Sequence, residues 1–203
     1  MFKKIFLLSI LLAACSYAAA QKPAQVLDAF VAKLRAGGTI TANFNVTAAN
    51  QSLAGTLAMS NKKFRLISDD TKCWYDGATQ WTYSTATGEV NITTPTAEDL
   101  QMTNPLAAAE SFKTKFNMKR AKAKTPKTYV IKCTPKQKGE IATAWLYFDE
   151  TTGLLRTARF DLSDGNIYKV KITNYKMRQS LPASTFSFDK SQVPAGVPVV
   201  DLR

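Results

Sequence analysis

The chain is 203 residues long, 45% apolar and 21% charged, enough for one ordinary domain with a core and too short for two comfortable ones. Its formal charge of +12 favours anionic partners such as lipid headgroups, acidic protein faces or polyphosphates. It contains no histidine, which excludes Ser-His-Asp and Cys-His catalysis and every histidine-bearing metal site.

Lys3 and Lys4 form a short positive region, Ile5 to Ala14 an apolar run, and Ala18-Ala19-Ala20 a small-residue cleavage site before Gln21. That is the pattern of a secretory signal, too short to span a bilayer. Residues 1–20 are therefore expected to be removed, leaving residues 21–203 as a single exported domain. A second cut also fits: Leu12-Ala13-Ala14-Cys15 matches a lipobox, in which Cys15 is lipidated and becomes the mature N-terminus. Loss of Lys3 and Lys4 lowers the formal charge from +12 to +10. No later segment approaches the roughly 20 apolar residues of a membrane helix, so the mature chain is expected to be soluble or at most lipid-tethered.

Within residues 21–36, Val26, Leu27, Phe30, Val31 and Leu34 recur at spacings of three and four, predicting one amphipathic helix stopped by Gly37-Gly38. From Thr39 the period becomes two: Ile40, Ala42, Phe44 and Val46, then Leu53, Gly55, Leu57 and Met59. Phe64-Arg65-Leu66-Ile67, Cys73-Trp74-Tyr75 and Gln80-Trp81-Thr82-Tyr83 continue as short strands, with Asp76-Gly77 as a hairpin signal. Asn104-Pro105 starts a second predicted helix between Thr103 and Met118, in which Phe112 and Phe116 lie four apart. Strands resume at Thr128–Cys133, Thr143–Asp149, Leu155–Leu162 and Tyr168–Tyr175, and a last one at Thr185–Phe188 leads into a Pro/Gly-containing tail. The pattern is α+β, dominated by an antiparallel meander of roughly nine to eleven strands. So long a sheet curls. The result is an incomplete barrel whose concave apolar face the two helices cover.

Little chemistry is available to such a chain. The carboxylate pairs Asp69-Asp70, Glu98-Asp99 and Asp149-Glu150 all fall in predicted turns, where solvated acids are ordinary. There is no CxxC pair and no Gly-rich phosphate loop, so neither an enzyme, a metal nor a cofactor is expected. Cys73 and Cys133 remain in the exported chain, as one disulfide or as two small buried hydrophobes. Lys113, Lys115, Lys119, Arg120, Lys122, Lys124 and Lys127 form a run without an intervening acid. It reads either as a solvated surface or as a docking surface for anionic headgroups or an acidic protein. No aromatic residue interrupts Arg120–Lys127, so nucleic acid is not expected. Several strands, such as Ala144-Trp145-Leu146-Tyr147-Phe148, are apolar at both parities, which leaves more apolar surface than two helices cover and predicts a greasy concavity.

The chain resembles the outer-membrane lipoprotein carrier family, the LolA-like proteins. The strings that carry the resemblance are Phe44, Gly55-Thr56-Leu57, Lys63-Phe64-Arg65, Tyr75-Asp76-Gly77 with Trp81 and Tyr83, Asn104-Pro105-Leu106, Phe186-Ser187-Phe188, and the closing Pro194 to Arg203. The resemblance implies a monomeric periplasmic carrier that takes lipoprotein acyl chains from an inner-membrane ABC transporter and passes them to an outer-membrane acceptor. Cavity-lining positions then fall on Leu34, Leu57, Met59, Phe64, Leu66, Leu106 and Phe112. The alternative is the same fold tethered through Cys15, or acting as an envelope-stress sensor. Relatives place an arginine at the turn after the second strand to tie the lid shut, whereas here that turn reads Ser60-Asn61-Lys62-Lys63. Lysine lacks the forked donors of arginine. The lid is therefore expected to be held mainly by apolar contacts of Leu34, Leu106 and Phe112.

Overall fold

The computed structural model describes residues 21–49 and 51–203, so the signal sequence and Cys15 lie outside the described residues. Helix α1 (Pro23–Ala36) begins with proline at its first position, where a missing N–H costs nothing, and buries Val26, Leu27, Phe30, Val31 and Leu34. Gly38, at φ +63°, turns the chain out of it. Six strands follow in hairpin succession: β1 (Thr39–Ala48), β2 (Gln51–Ser60), β3 (Lys63–Ser68), β4 (Thr71–Tyr75), β5 (Gln80–Ser84) and β6 (Glu89–Thr93). After helices α2 (Ala97–Thr103) and α3 (Pro105–Lys115) come β7 (Phe116–Ala121), β8 (Thr128–Pro135), β9 (Ile141–Asp149), β10 (Leu155–Leu162) and β11 (Ile167–Lys176). The chain closes on β12 (Val199–Asp201).

All twelve strands form one curved sheet in the order β12-β6-β5-β4-β3-β2-β1-β11-β10-β9-β8-β7. The long pairing of β1 with β11 joins the two meanders, and a register shift between Thr41 and Asn43 bends the sheet there. The curled α+β sheet is the one its alternating sequence dictates.

Several elements differ from expectation. The segment from Thr103 to Met118 is not one helix. Asn104 stands in extended backbone (φ −93°, ψ 113°) between α2 and α3, as a residue before proline prefers. Phe112 and Phe116, though four apart, straddle the end of α3, and Phe116 opens β7. β6 and β7 are strands that the sequence pattern did not single out. Thr185–Phe188 is not a strand, since Ala183–Phe186 forms a 3₁₀ turn. The strand of the tail is β12, parallel to β6 with Val199 opposite Val90. Asp76-Gly77 does mark a hairpin, but with a four-residue loop in which the Asp76 carboxylate accepts the backbone N–H groups of Ala78 and Thr79.

The sheet has two apolar faces. The inner one packs Ile40, Leu57, Met59, Phe64, Cys73, Tyr75, Ile131, Cys133, Leu146 and Phe148 against α1, Phe112 and Phe116. The outer face of β3–β6 carries a second cluster of Trp74, Tyr83 and Val90, covered by Phe188, Val193, Val197 and Val199 of the C-terminal segment. The apolarity at both parities of β4 and β5 is thus consumed by a second small core. On β9, Ala144, Leu146 and Phe148 face inward, while Trp145 and Tyr147 face outward and lie outside that second core. Only one parity contributes to the concavity.

Candidate functional site

Between α1, α3 and the inner face lies a chamber of about 360 Å³, within the roughly 300–1,000 Å³ of small-molecule sites. Its helical wall is Leu27, Phe30 and Leu34 of α1 with Ala108, Ala109 and Phe112 of α3. Phe44, Val46, Leu57, Met59 and Leu66 of β1–β3 form one side, and Leu146, Phe148, Ala158, Phe160, Val170 and Ile172 of β9–β11 the other. Alternation sends every second residue of these strands to the chamber, so Lys169 and Lys171 lie on the far side from Val170 and Ile172. Gly55 is required at its position: a Cβ there would come within 2.4 Å of the Phe44 ring and 2.3 Å of the Ile67 carbonyl oxygen. Its absence lets that ring lie across β2.

The few polar groups in the wall are already engaged. The Tyr175 hydroxyl donates to the Leu155 carbonyl at 2.9 Å, and burial pushes its pKa up. The Thr103 hydroxyl donates to the Asp99 carbonyl at 3.2 Å. Both polar atoms of the Asn104 amide are engaged, with Oδ1 accepting from the backbone N–H groups of Leu106 and Ala107 and Nδ2 donating to the Lys62 carbonyl at 3.2 Å. A wall whose few polar side chains already have internal partners favours alkyl matter over polar ligands.

Of the seven expected lining residues, Leu34, Leu57, Met59, Leu66 and Phe112 meet at this chamber. Phe64 does not. It is 0% exposed, packed on the Tyr75 ring at 5.4 Å, and belongs to the closed part of the core. Leu106 lines an adjoining, more polar cleft with Arg35, Asn61, Lys62 and Glu110, which shares Leu34, Met59 and Asn104 with the chamber. The sequence reading did not single out the far wall from β9 to β11, although Tyr168-Lys169-Val170-Lys171-Ile172 alternates cleanly enough to have placed Val170 and Ile172 there.

The lid is not held by apolar contact alone. The Asn104 amide ties the start of α3 to the β2–β3 turn by donating to the Lys62 carbonyl. Arg35 pairs with Glu110 at 2.6 Å and Lys113 with Asp28, clamping α1 to α3. These two pairs are exposed and each is worth about 0–1 kcal/mol. Asn61 sits at φ +53° in a two-residue hairpin turn, a position asparagine tolerates and arginine does not favour.

Cys73 on β4 and Cys133 on β8 are separate buried thiols, so the disulfide left open by the sequence is not formed here. Burial pushes the Cys73 thiol up to about 11 and the Cys133 thiol to about 12. Asp149, the buried acid of the Asp149-Glu150 pair, staples the β9–β10 turn. Its carboxylate accepts from the Thr151 and Thr152 N–H groups, at 2.8 and 2.6 Å, and pairs with Arg156. The Thr152 N–H foremost, with Arg156 also contributing, holds it below the usual carboxylate range.

The basic run does not form one face. Lys113 and Lys115 end α3. Lys119 and Arg120 are neighbours on β7 and point to opposite sides. Nor is the run without acids, since Asp28 pairs with Lys113, and Glu150 lies 3.8 Å from Arg120, whose guanidinium also stacks over Tyr129. Lys122, Lys124 and Lys127 are exposed along the link to β8.

A curved open sheet with helices lying over an apolar chamber defines the class of fold to which the chain belongs. The family of the outer membrane lipoprotein carrier protein LolA matches residues 14–152, and the chain belongs to that family. An uncharacterized conserved protein from Thermus thermophilus shares the fold, with a TM-score of 0.60 at 12% identity over 88% of this chain and 98% of that one. A LolA superfamily protein from Nitrosomonas europaea aligns with a TM-score of 0.44 at 11% identity, over 83% and 99%. A putative outer membrane lipoprotein-sorting protein domain from Vibrio parahaemolyticus aligns at 0.41 and 13%, over 79% and 95%. No curated protein sequence matches the chain.

Proposed function

We propose that the protein is a periplasmic carrier that takes an acyl chain of a lipoprotein, or of a related lipid, into the chamber and moves it between the two membranes. The observation that supports this reading most is the chamber wall itself, apolar on both sides with its few polar side chains turned to internal partners. Membership of the carrier family agrees with it. On this reading the protein works by reversible burial and makes no covalent bond. Its partners are an inner-membrane ABC transporter that loads it and an outer-membrane acceptor that unloads it. The N-terminal segment acts as the export signal.

The test is a titration with a fluorescent fatty-acid probe. One saturable site is expected. Leu66→Asp places a charge in the wall without a partner, and Ala109→Trp fills the space from α3. Each should weaken binding roughly tenfold or more. Two folded variants that bind as tightly as the parent would remove the chamber from the function.

A further inference from the structure

We propose that the outer face of β7–β11, which no described segment covers, is a docking surface for anionic phospholipid bilayers, built on a row of cations that crosses the five strands. The register sets the row. Lys119 of β7 lies opposite Lys132 of β8, Lys132 opposite Trp145 of β9, Trp145 opposite Arg159 of β10, and Arg159 opposite Lys169 of β11. Lys171 stands one step along, opposite Thr157. With neighbouring strands about 4.8 Å apart, the row is roughly 19 Å wide. Only Lys119 belongs to the basic run seen in the sequence, because the others come from strands far apart in the chain.

Two of these pairs set like charges directly opposite each other, Lys119 with Lys132 and Arg159 with Lys169, an arrangement that destabilises a sheet. Internal acids relieve it at Arg159 alone and leave the lysines of the row unpaired. Asp161 is held by Arg159 at 2.6 Å and by the Trp145 indole at 3.1 Å. Asp149, at the end of the same face, is buried in its turn beneath Arg156. Lys119, Lys132, Lys169 and Lys171 have no ion pair among the described residues. A row kept against its own repulsion points to an anion from outside.

One feature favours a bilayer over an acidic protein. Trp145 and Tyr147 stand half-buried within the cationic face, the side chains that settle at the headgroup level of a membrane, and Lys132 lies 5.2 Å from the Trp145 ring. Each cation held at such a surface raises affinity about fivefold. The proposal does not depend on what the chamber holds.

The test is flotation of the naturally processed protein with vesicles of phosphatidylcholine alone or mixed with phosphatidylglycerol. The parent should bind only the mixed vesicles and should release them as salt rises. Lys132→Glu with Lys169→Glu should weaken that binding by roughly a hundredfold, and Lys132→Gln with Lys169→Gln should do so less steeply if the reversed pair fails to fold. Lys190→Glu with Arg178→Glu makes the same change of net charge elsewhere and should cost less than threefold. Equal losses in the two reversed pairs would leave net charge as the whole effect and overturn the docking surface. Retention on an acidic protein matrix without binding to the mixed vesicles would assign the row to a protein and overturn it as well. Fatty-acid probe binding, followed in the same variants, reads the chamber separately and should not change.

Discussion

On β3–β6 the outward-facing Trp74, Tyr83 and Val90 are sealed beneath Phe188, Val193 and Val197, whereas on β7–β11 the outward-facing Trp145 and Tyr147 stand half-buried among Lys132, Arg159 and Lys169. Both halves carry aromatic residues at the parity that faces away from the chamber. Their meaning differs because of what lies over them. In one half the C-terminal segment returns, pairs β12 with β6 and turns the outer face into a second core. In the other, long cationic stems flank the rings and keep water nearby. Aromatic content alone therefore does not distinguish a core from a contact surface, and the charge of the cross-strand neighbours does.

The largest effect that sharpens this contrast is expected from truncating one tryptophan in each half. Trp74 is 1% exposed and lies 5.4 Å from the Phe188 ring. Trp74→Ala should lower the unfolding free energy by about 3–5 kcal/mol. Trp145→Ala should cost less, about 1–2 kcal/mol, because the half-buried ring loses only its hydrogen bond to Asp161, the Lys132 cation and a partial burial. Denaturant unfolding measures both. Comparable losses would mean that the two faces are sealed alike.

A smaller effect concerns how the uncovered half is closed at its edge. Its β9–β10 turn depends on the Asp149 carboxylate rather than on an apolar cover. The folded-state pKa is lowered, so the ionised form adds stability at neutral pH and through the mildly acid range, and that stability is lost as pH falls through the lowered value. Asp149→Asn should therefore melt earlier than the parent at pH 7. The gap should narrow once the pH drops below the ordinary carboxylate value of about 3.9. A gap that stays constant into acid would detach the turn from the charge of Asp149.

Much of the inner face was legible from period-two alternation, because burying one side of a strand is a local property of its sequence. Leu57, Met59 and Leu66 lie on the chamber at that parity and Leu34 and Phe112 at helical spacing, although it is the family resemblance that marked them as lining positions. Phe64 shares their parity but not their surroundings, since alternation gives the face and not the position along the strand where the helices stand off. The fate of the outer face was not legible. Whether Trp74 or Trp145 is covered depends on where residues 186–200 return, and the opposition of Lys119 to Lys132 depends on register. Both are non-local. The break at Asn104 was visible as a helix start at Pro105 but not as the amide that bridges the lid to Lys62.

The smallest expected effect bears on the like-charge pairs, and it runs against the usual direction for a mutation. Opposed cations across a strand pair destabilise, while opposite charges in the same place contribute roughly 0.2–1 kcal/mol. Lys119→Glu turns the pair with Lys132 from repulsive to attractive, so the protein should become more stable by a few tenths of a kcal/mol or slightly more. Lys132→Glu makes the same pair with the signs exchanged, but it also removes the cation over the Trp145 ring, worth about 0.5–1 kcal/mol at an exposed site. Its net gain should be close to zero. The double substitution restores repulsion and should be less stable than the two single changes added together, a coupling that a double-mutant cycle isolates. Added salt should shrink the coupling, since both side chains are exposed. A gain in stability from Lys119→Glu, alongside weaker binding to phosphatidylglycerol vesicles, would separate what the row does for the fold from what it does for docking. Absence of any coupling would show that the two ammonium groups keep clear of each other, and stored repulsion would no longer account for the row.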